Sequence, residues 1–274
     1  MMNSAIDKRQ ARRAFSRAAA AGGNNAVADI VGERLEERLT EIAPAPQMAI
    51  DVGGNGHTLA THFPAAKIIA LDFALPVLRT ETAAHFYALA DAEALPLADS
   101  SADLLWSNLC WEWTVMETAL AEAARVLSPT GGLLAFSVLG PDTWQEVRAA
   151  WAKVELSPPQ RVHTFTDMHN IGDMLSQAGF AEPVLSAEHL TLSYSSAAEA
   201  LRDAHNAGAG CALSTRPRGL MGRHKWQLML DTYQQLFADD RGRVPATFEV
   251  IYATAWSAPP KESVVHFWDG LKNS

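Results

Sequence analysis

The chain has 274 residues, of which 48% are hydrophobic and 19% are charged, and its formal net charge at pH 7 is −9. This length is sufficient to bury a full core in one large domain. The acidic balance argues against general nucleic-acid binding, which usually leaves a basic surface. No run of about 18 apolar residues occurs, so the sequence predicts no membrane-spanning helix. Nothing in it indicates an oligomeric state.

Two features bear on cellular location. The only cysteines, Cys110 and Cys211, lack the spacing of metal ligands. They favour a reduced, cytoplasmic protein, although one disulfide is arithmetically possible. The first 23 residues contain five basic residues but no apolar segment of a secretory signal. We interpret them as an arginine-rich surface helix, with a mitochondrial presequence as the alternative.

Periodicity along the first two-thirds of the chain predicts an α/β protein. Two helices, at residues 5–21 and 27–42, come first. Strand patterns then alternate with helical ones. The predicted strands are 48–53, 67–72, 86–89, 102–107 and 133–139, and the predicted helices are 57–63, 75–84 and 115–127. This alternation is typical of a doubly wound, Rossmann-like parallel sheet, whose ligands bind beyond the carboxyl ends of the strands.

The last third predicts an antiparallel edge and a lid. Asp167 is placed to cap a helix that ends near Gly179, and strands at 183–194 and 247–256 are of a type to pair antiparallel. About 50 residues of helix and Arg/Gly-rich loop separate them, which favours a substrate-selecting lid. The predicted regions are N-terminal helices covering the active site (1–45), a core (46–194), a lid insertion (195–245), and a last strand with a tail (246–274).

The segment Met-Ala-Ile-Asp-Val-Gly-Gly-Asn-Gly at 48–56 reads as a buried strand that enters a glycine-rich turn before a helix. Small residues at such a turn let a ligand approach the backbone. Asp72 ends the next apolar run, 21 positions after Asp51. An acid about 20 residues after the turn is where nucleotide-type cofactors have their ribose hydroxyls bound. A tight turn without a ligand is the alternative interpretation.

Several longer motifs resemble a known family. Residues 91–108, Asp-Ala-Glu-Ala-Leu-Pro-Leu through Trp-Ser-Asn, and the stretch Arg-Val-Leu-Ser-Pro-Thr-Gly-Gly before a strand are similar to class I S-adenosylmethionine-dependent methyltransferases. The segments at 7–20, 136–143, 163–169 and 214–223 narrow the resemblance to the malonyl-acyl-carrier-protein O-methyltransferases of biotin synthesis. The resemblance covers residues 7–256 and implies a seven-stranded methyltransferase sheet with a helical lid.

The same resemblance implies S-adenosylmethionine as cofactor and assigns its contacts. The turn residues would be Asp51, Gly53, Gly54 and Asn55. Further along the chain, Asp72 would bind the ribose and Phe73 would lie beside the adenine. Asp91 and Ala92 would contact the edge of the adenine, and Asn108 would contact the methionine moiety.

For the acceptor, the resemblance implies the free carboxylate of a malonyl group on an acyl carrier protein. A carboxylate is ionised at neutral pH, so the reaction requires no general base and we assign no catalytic residue or metal. Arg216 and Arg223 match lid arginines of the family and could orient this carboxylate. Trp111 is assigned to the pocket wall, with Trp113 as an alternative. The basic lid or the N-terminal helix would bind the acidic carrier.

Departures from the family pattern keep two alternatives open. Asn55 and His57 stand where the family has glycines, although Asn tolerates positive φ. Ala21-Gly22-Gly23 stands where the family has a segment with a tyrosine, and Asp29 stands where a glutamine is expected. The chain could therefore be a diverged methyltransferase with another substrate, as in the arginine-modifying assembly factors of respiratory complex I, which share the resemblance. It could also be a partner-binding protein that has lost its cofactor.

Overall fold

The computed structural model describes residues 6–22, 25–54, 57–78, 83–155, 161–206 and 210–258. Its helices are α1 (Lys8–Ala20), α2 (Ala26–Ile42), α3 (His57–His62), α4 (Leu75–Leu78), α5 (Met116–Val126), α6 (Gln145–Val154), α7 (Met168–Gln177), α8 (Ala197–Asn206) and α9 (Arg223–Phe237). Its strands are β1 (Met48–Val52), β2 (Lys67–Asp72), β3 (Phe86–Leu89), β4 (Leu104–Asn108), β5 (Leu133–Leu139), β6 (Phe180–Tyr194) and β7 (Val244–Ser257).

The seven strands form one sheet in the order β3-β2-β1-β4-β5-β7-β6. Strands β1 to β5 are parallel, and β7 is antiparallel to both β5 and β6. The predicted doubly wound sheet is thus confirmed, with one refinement: the antiparallel strand lies one position in from the edge, and β6 is the edge. Between β6 and β7 the chain forms α8 and α9, where the sequence predicts a helical lid.

Both faces of the sheet are covered by apolar layers. Because successive strand residues point to opposite faces, neighbouring side chains enter different clusters. Ala49, Leu104 and Leu133 pack with α2 on one side. The next residue of each strand, in turn Ile50, Leu105 and Leu134, packs with α5 on the other. This double burial explains the almost uninterrupted apolar runs of the parallel strands.

Element boundaries show where periodicity misled. Asp167 accepts a hydrogen bond from the Asn170 N–H and caps α7 as predicted. The helix predicted at 75–84 is too long, because α4 ends at Leu78 and residues 83 and 84 are not helical. His85 explains part of the difference: its N–H donates to the Ile68 carbonyl at 3.0 Å, which starts the β2–β3 ladder and requires extended chain there.

Among the described residues, no helix is both long and apolar enough to cross a membrane.

Arg125, near the end of α5, fixes the connection between β3 and β4. Its guanidinium donates to the Leu95 and Leu97 carbonyls at 3.0 and 2.8 Å and pairs with Glu122 and Asp99. The planar five-donor fork satisfies these acceptors together, which an ammonium group on a flexible stem cannot do. One side chain therefore positions the loop that follows residue 91.

We predict that Arg125→Lys lowers the free energy of unfolding by about 1–2 kcal/mol, because it leaves loop carbonyls without their donor. Urea unfolding followed by circular dichroism measures the change. The matched variant Arg241→Lys, at an exposed turn, should stay within about 0.5 kcal/mol of the parent. Equal stability of the parent and Arg125→Lys would show that this loop is held by other contacts.

Candidate functional site

The glycine turn after β1 is sterically constrained. Gly53 has φ +89°, and a Cβ atom added there would lie 2.5 Å from the Cys110 side chain. Its N–H donates to the Leu71 carbonyl at 2.7 Å. At Gly54 an added Cβ would collide with the Asp51 carboxylate. Both positions thus require glycine on steric grounds. Asn55 lies outside the described residues, and His57 begins α3.

A cleft at the carboxyl ends of β1, β2 and β3 brings five of the predicted cofactor residues together. They are Gly53, Asp72, Phe73, Asp91 and Ala92, and the other lining residues are Lys8, Val52, Leu71, Ala90, Cys110, Trp113 and Thr114. The position agrees with the general location of ligands on such sheets. Neither periodicity nor the family resemblance assigns Lys8, Cys110 or Thr114 to this cleft.

Asp72 has an unusual electrostatic environment for a carboxyl group. Its side chain is 6% exposed, and burial, together with the nearby Asp51 charge, raises its pKa to about 7. One of its oxygens accepts the Ala74 N–H at 2.5 Å. A buried carboxyl that titrates near neutrality in a cleft is typical of a ligand-contacting group.

Lys8 closes the cleft from the first turn of α1. Its Nζ lies 2.6 Å from Asp91 Oδ2 and 2.8 Å from Glu93 Oε2. The enclosed volume is about 20 Å³, far below the ~300 Å³ of ordinary small-molecule sites. In this arrangement the cleft is too small for a nucleotide-type ligand, and Lys8 is one of the side chains at its rim.

Asn108 does not line the cleft. Its amide nitrogen donates to the Ala28 carbonyl at 2.8 Å, and its amide oxygen accepts from the Ser137 hydroxyl at 2.7 Å. These bonds connect α2 to β4 and β5. The described geometry commits the side chain to packing, so its predicted contact with a methionine moiety stays a prediction.

A second cavity, of about 500 Å³, lies between the sheet and the lid. We call it the large cavity. Its lining is largely apolar and aromatic and includes Leu139, Trp144, Trp151, Phe165, Leu201, Met221, Trp226 and Met229. Arg161, Arg202 and His205 also line it. The Arg161 guanidinium is paired with Glu155 and lies 4.4 Å from the Trp151 ring. Trp113 lines both this cavity and the cleft, so it forms the wall between them.

The assignment of Trp111 to a pocket wall is corrected in favour of Trp113. Trp111 is 1% exposed and stacks on Phe136 in the core, with ring centroids 4.6 Å apart. Trp113 instead packs between Phe15 of α1 and His163, at 5.4 and 4.7 Å. Both tryptophans belong to one 3₁₀ turn, Trp111–Trp113, and residues two apart on such a turn point in different directions.

Two buried ionisable groups, Glu112 and His163, lie next to Trp113. The Glu112 carboxylate accepts the Leu139 N–H at 2.7 Å, and burial raises its pKa to about 7. His163 Nε2 lies 2.9 Å from the Glu112 carbonyl oxygen, and burial lowers the imidazole pKa to about 4. Within the described part of the chain, Glu112 Oε2 and His163 Nδ1 have no hydrogen-bond partner. In the sequence, residues 163–169 carry part of the family resemblance, and no role is assigned to His163 there.

The two predicted substrate arginines lie outside the large cavity's lining. Arg216 donates to the Asp7 carboxylate and to the Leu213 carbonyl, both at 2.9 Å. It thereby joins the lid to the start of α1. Arg223 is exposed at the first position of α9. Among the described residues, neither arginine has a hydrogen bond or ion pair with a residue of the cleft or of the cavity lining, so their role toward a carboxylate stays a prediction.

The lid carries a basic surface, which we call the lid patch and define as residues 217–228. All twelve of its residues are exposed, and it contains Arg218, Arg223 and Lys225 but no Asp or Glu. Two of its members, Met221 and Trp226, also line the large cavity. The patch therefore adjoins the opening of the cavity, on a protein whose net charge is −9.

Comparison with known proteins agrees with this geometry. A family model described as a methyltransferase domain matches residues 50–136. A crystal structure of a Bacillus halodurans protein, described as a candidate methyltransferase, superposes with a TM-score of 0.56 at 21% identity, covering 81% of this chain and 98% of that one. At this identity the similarity shows the fold.

Relatives with known names show more than the fold. The chain is 41% identical over 274 residues to the malonyl-[acyl-carrier protein] O-methyltransferase of Gallionella capsiferriformans, covering 93% of each. It is 37% identical over 288 residues to the protein of the same name from Nitrosospira multiformis, covering 95% of this chain and 92% of that one. The chain belongs to the malonyl-[acyl-carrier protein] O-methyltransferase family.

Proposed function

We propose that this protein transfers a methyl group from S-adenosylmethionine to the free carboxylate of a malonyl group carried by an acyl carrier protein, as a step of biotin precursor synthesis. The observation that carries the proposal is the wall shared by the cleft and the large cavity. A cofactor in the first and an acceptor in the second would meet beside Trp113. Family membership supports the identity of both partners.

The cleft fits the proposed cofactor chemically. Ribose hydroxyls are hydrogen-bond donors, and the Asp72 carboxylate is an acceptor at the place where such hydroxyls bind. Phe73 offers a flat ring for a purine, and Asp91 offers an acceptor for an exocyclic amine once Lys8 releases it. When bound, S-adenosylmethionine supplies an electrophilic methyl group on its sulfonium.

The chain's own contribution to the reaction is alignment and exclusion of water. The acceptor carboxylate is already ionised, so no residue has to remove a proton. Transfer of the methyl group to a carboxylate oxygen would neutralise the charge of the acceptor. Desolvation favours this loss of charge, and the aromatic walls of the cavity together with α1 provide it. Trp113 would hold the two reactants in line across the narrowest part of the site.

The lid patch is the surface that we propose for the carrier protein. Acyl carrier proteins are acidic, and an enzyme of net charge −9 needs a local basic surface to bind one. Arg218 and Arg223 supply this charge beside the cavity, whereas Lys225 of the same patch is paired with Glu155 at 2.8 Å. The proposal includes no nucleic acid and no membrane, and a cytoplasmic location stays a prediction from composition.

A methylation assay tests the proposed reaction. Purified protein with S-adenosylmethionine and malonyl-acyl carrier protein should yield the malonyl methyl ester. Calorimetry with S-adenosylhomocysteine serves as the companion measurement. Binding without methyl transfer would support a diverged enzyme with another acceptor. Absence of binding at millimolar ligand would support the partner-binding alternative, and either result would remove the proposed function.

We predict that S-adenosylhomocysteine binds about tenfold more tightly at about pH 8 than at about pH 6. The raised pKa of Asp72, about 7, means that the carboxyl is largely protonated at the lower pH. Ribose hydroxyls need the ionised acceptor, so affinity rises through neutrality and levels off above it. Calorimetry across this range measures the dependence. Asp72→Asn, which cannot ionise, should bind weakly with no such slope; a slope retained in that variant contradicts the role of Asp72.

We also predict that Arg218→Glu lowers kcat/KM for malonyl-acyl carrier protein by about fivefold. The substitution reverses one charge of the docking surface but leaves the cavity lining and the predicted substrate arginines unchanged, so a small malonyl thioester should react at the parent rate. Salt should weaken the parent reaction with the carrier, since exposed charges are screened.

A charge control separates docking from net charge. Arg241→Glu lies beyond the far end of α9, a helix of 15 residues and therefore about 22 Å long. This variant should retain parent activity with the carrier. If it loses as much activity as the patch variant, or if the patch variant loses activity with the small thioester as well, the lid patch is not the docking surface.

A further inference from the structure

We infer that the mouth of the large cavity is an anion site, formed by Arg202 of α8 with His205 beside it, and that it binds the phosphodiester that joins the acyl-bearing arm to its carrier protein. The inference deepens the proposed function and rests on it for the identity of the substrate. It assigns a ligand to basic residues that neither periodicity nor the family resemblance singles out.

The exposed part of the lining locates the mouth of the large cavity. Residues at its inner end, such as Trp113, are buried, whereas four of the described lining residues are exposed to solvent. The four are Arg202 and His205 of α8 and Met221 and Trp226 of the lid patch. A cavity communicates with solvent where its lining is exposed, so the mouth lies between α8 and the lid patch.

The two sides of this mouth differ in chemistry. Met221 and Trp226 make the lid side apolar, and the α8 side is basic. Arg202 and His205 are three positions apart on one helix, so their side chains are neighbours on the same face. A guanidinium has five N–H donors, and an imidazole adds at least one more. Such a mouth suits an anionic group attached to an otherwise apolar chain.

Arg202 has its donors available for a ligand. Arg161, which also lines the cavity, uses its Nε and Nη2 atoms to bind the Glu155 carboxylate. Within the described part of the chain, Arg202 has no hydrogen bond or ion pair. Its charge acts on Glu199, one turn earlier, but that carboxylate accepts the Ser195 N–H at 2.9 Å. Arg202 is therefore the cation of the lining that an incoming anion can pair with.

The proposed substrate carries an anion at each end of its arm. The malonyl carboxylate is at one end, and the phosphodiester to a serine of the carrier protein is at the other. The carboxylate must reach the wall at Trp113 to meet a cofactor in the cleft. The methylenes and amides of the arm then fill the cavity, and the mouth receives the phosphodiester.

A guanidinium matches this group better than other side chains do. Its planar fork donates two parallel N–H bonds to phosphate oxygens. Because the mouth is open to water, solvent and salt screen the contact, and its effect is modest. The phosphate is remote from the reacting atoms and is bound equally before and during the reaction. The contact should therefore lower KM and leave kcat unchanged.

Two small substrates that differ only in the phosphate test the site. They are malonyl-4′-phosphopantetheine and malonyl-pantetheine. In the parent enzyme, KM should be about fivefold lower for the phosphorylated thioester, at equal kcat. Arg202→Gln should bring the ratio of the two KM values to about one, whereas Arg202→Lys should retain part of the preference. Arg241→Gln, at an exposed turn away from the cavity lining, should keep the parent ratio.

Three results overturn the anion site. The first is an equal KM of the parent for both thioesters, and the second is a preference that persists in Arg202→Gln. The third is a loss in Arg202→Gln that is the same for both thioesters, because it would mean that Arg202 binds a group common to the two, such as the malonyl carboxylate. In each case, methylation of malonyl-acyl carrier protein by the parent leaves the proposed function standing.

A binding measurement separates the site from the reaction. Calorimetry with the free thiols should show that 4′-phosphopantetheine binds about fivefold more tightly than pantetheine, and that added salt reduces the difference. This preference in an enzyme that methylates neither thioester retains the anion site and removes the proposed reaction. Equal affinity for the two thiols, or no binding of either at millimolar concentration, overturns the site.

Discussion

The packing of the Trp113 indole is the contact on which the arrangement of the site depends. Phe15 of α1 lies on one side of it and His163 on the other, at 5.4 and 4.7 Å. The indole thus joins the N-terminal helix, the turn after β4 and the segment before α7. Because it lines both spaces, a shift of any of these three segments changes the wall between the cleft and the large cavity.

Perturbed ionisable groups separate into two kinds in this protein. The pKa of Glu155 is lowered to about 2 by its ion pairs with Arg161 and Lys225. The pKa values of Asp72, Glu112 and His163 are shifted mainly by burial, with no ion pair to compensate. Burial without a counter-charge costs stability, and such groups cluster at functional sites. Asp72 lies in the cleft, and Glu112 and His163 lie beside Trp113.

Sequence patterns predicted the sheet almost completely, because strand periodicity and alternation with helices are local properties. They also placed Gly53, Asp72, Phe73, Asp91 and Ala92 at one edge, since parallel strands end together. They could not show that Lys8 pairs with Asp91, 83 positions away, because ion pairs between distant segments leave no periodic signal.

The choice between neighbouring aromatic residues was equally inaccessible from sequence. Trp111 and Trp113 are chemically the same, and only the turn that contains them decides which one enters the core. The unpaired Nδ1 of His163 could not be inferred from the sequence for a related reason. Which ring nitrogen stays unpaired depends on the hydrogen bond of the other, Nε2, and that bond joins residues 51 positions apart.

The start of α1 couples the two halves of the site through adjacent residues. Asp7 accepts from Arg216 of the lid, and its N–H donates to the Ala212 carbonyl at 2.7 Å. The next residue, Lys8, holds the rim of the cleft through Asp91 and Glu93. Asp7 and Lys8 are neighbours in the chain, so the first turn of α1 contacts both the lid and the rim of the cleft. Arg216, which the family resemblance assigns to the substrate, is in this structure part of the contact between the lid and α1.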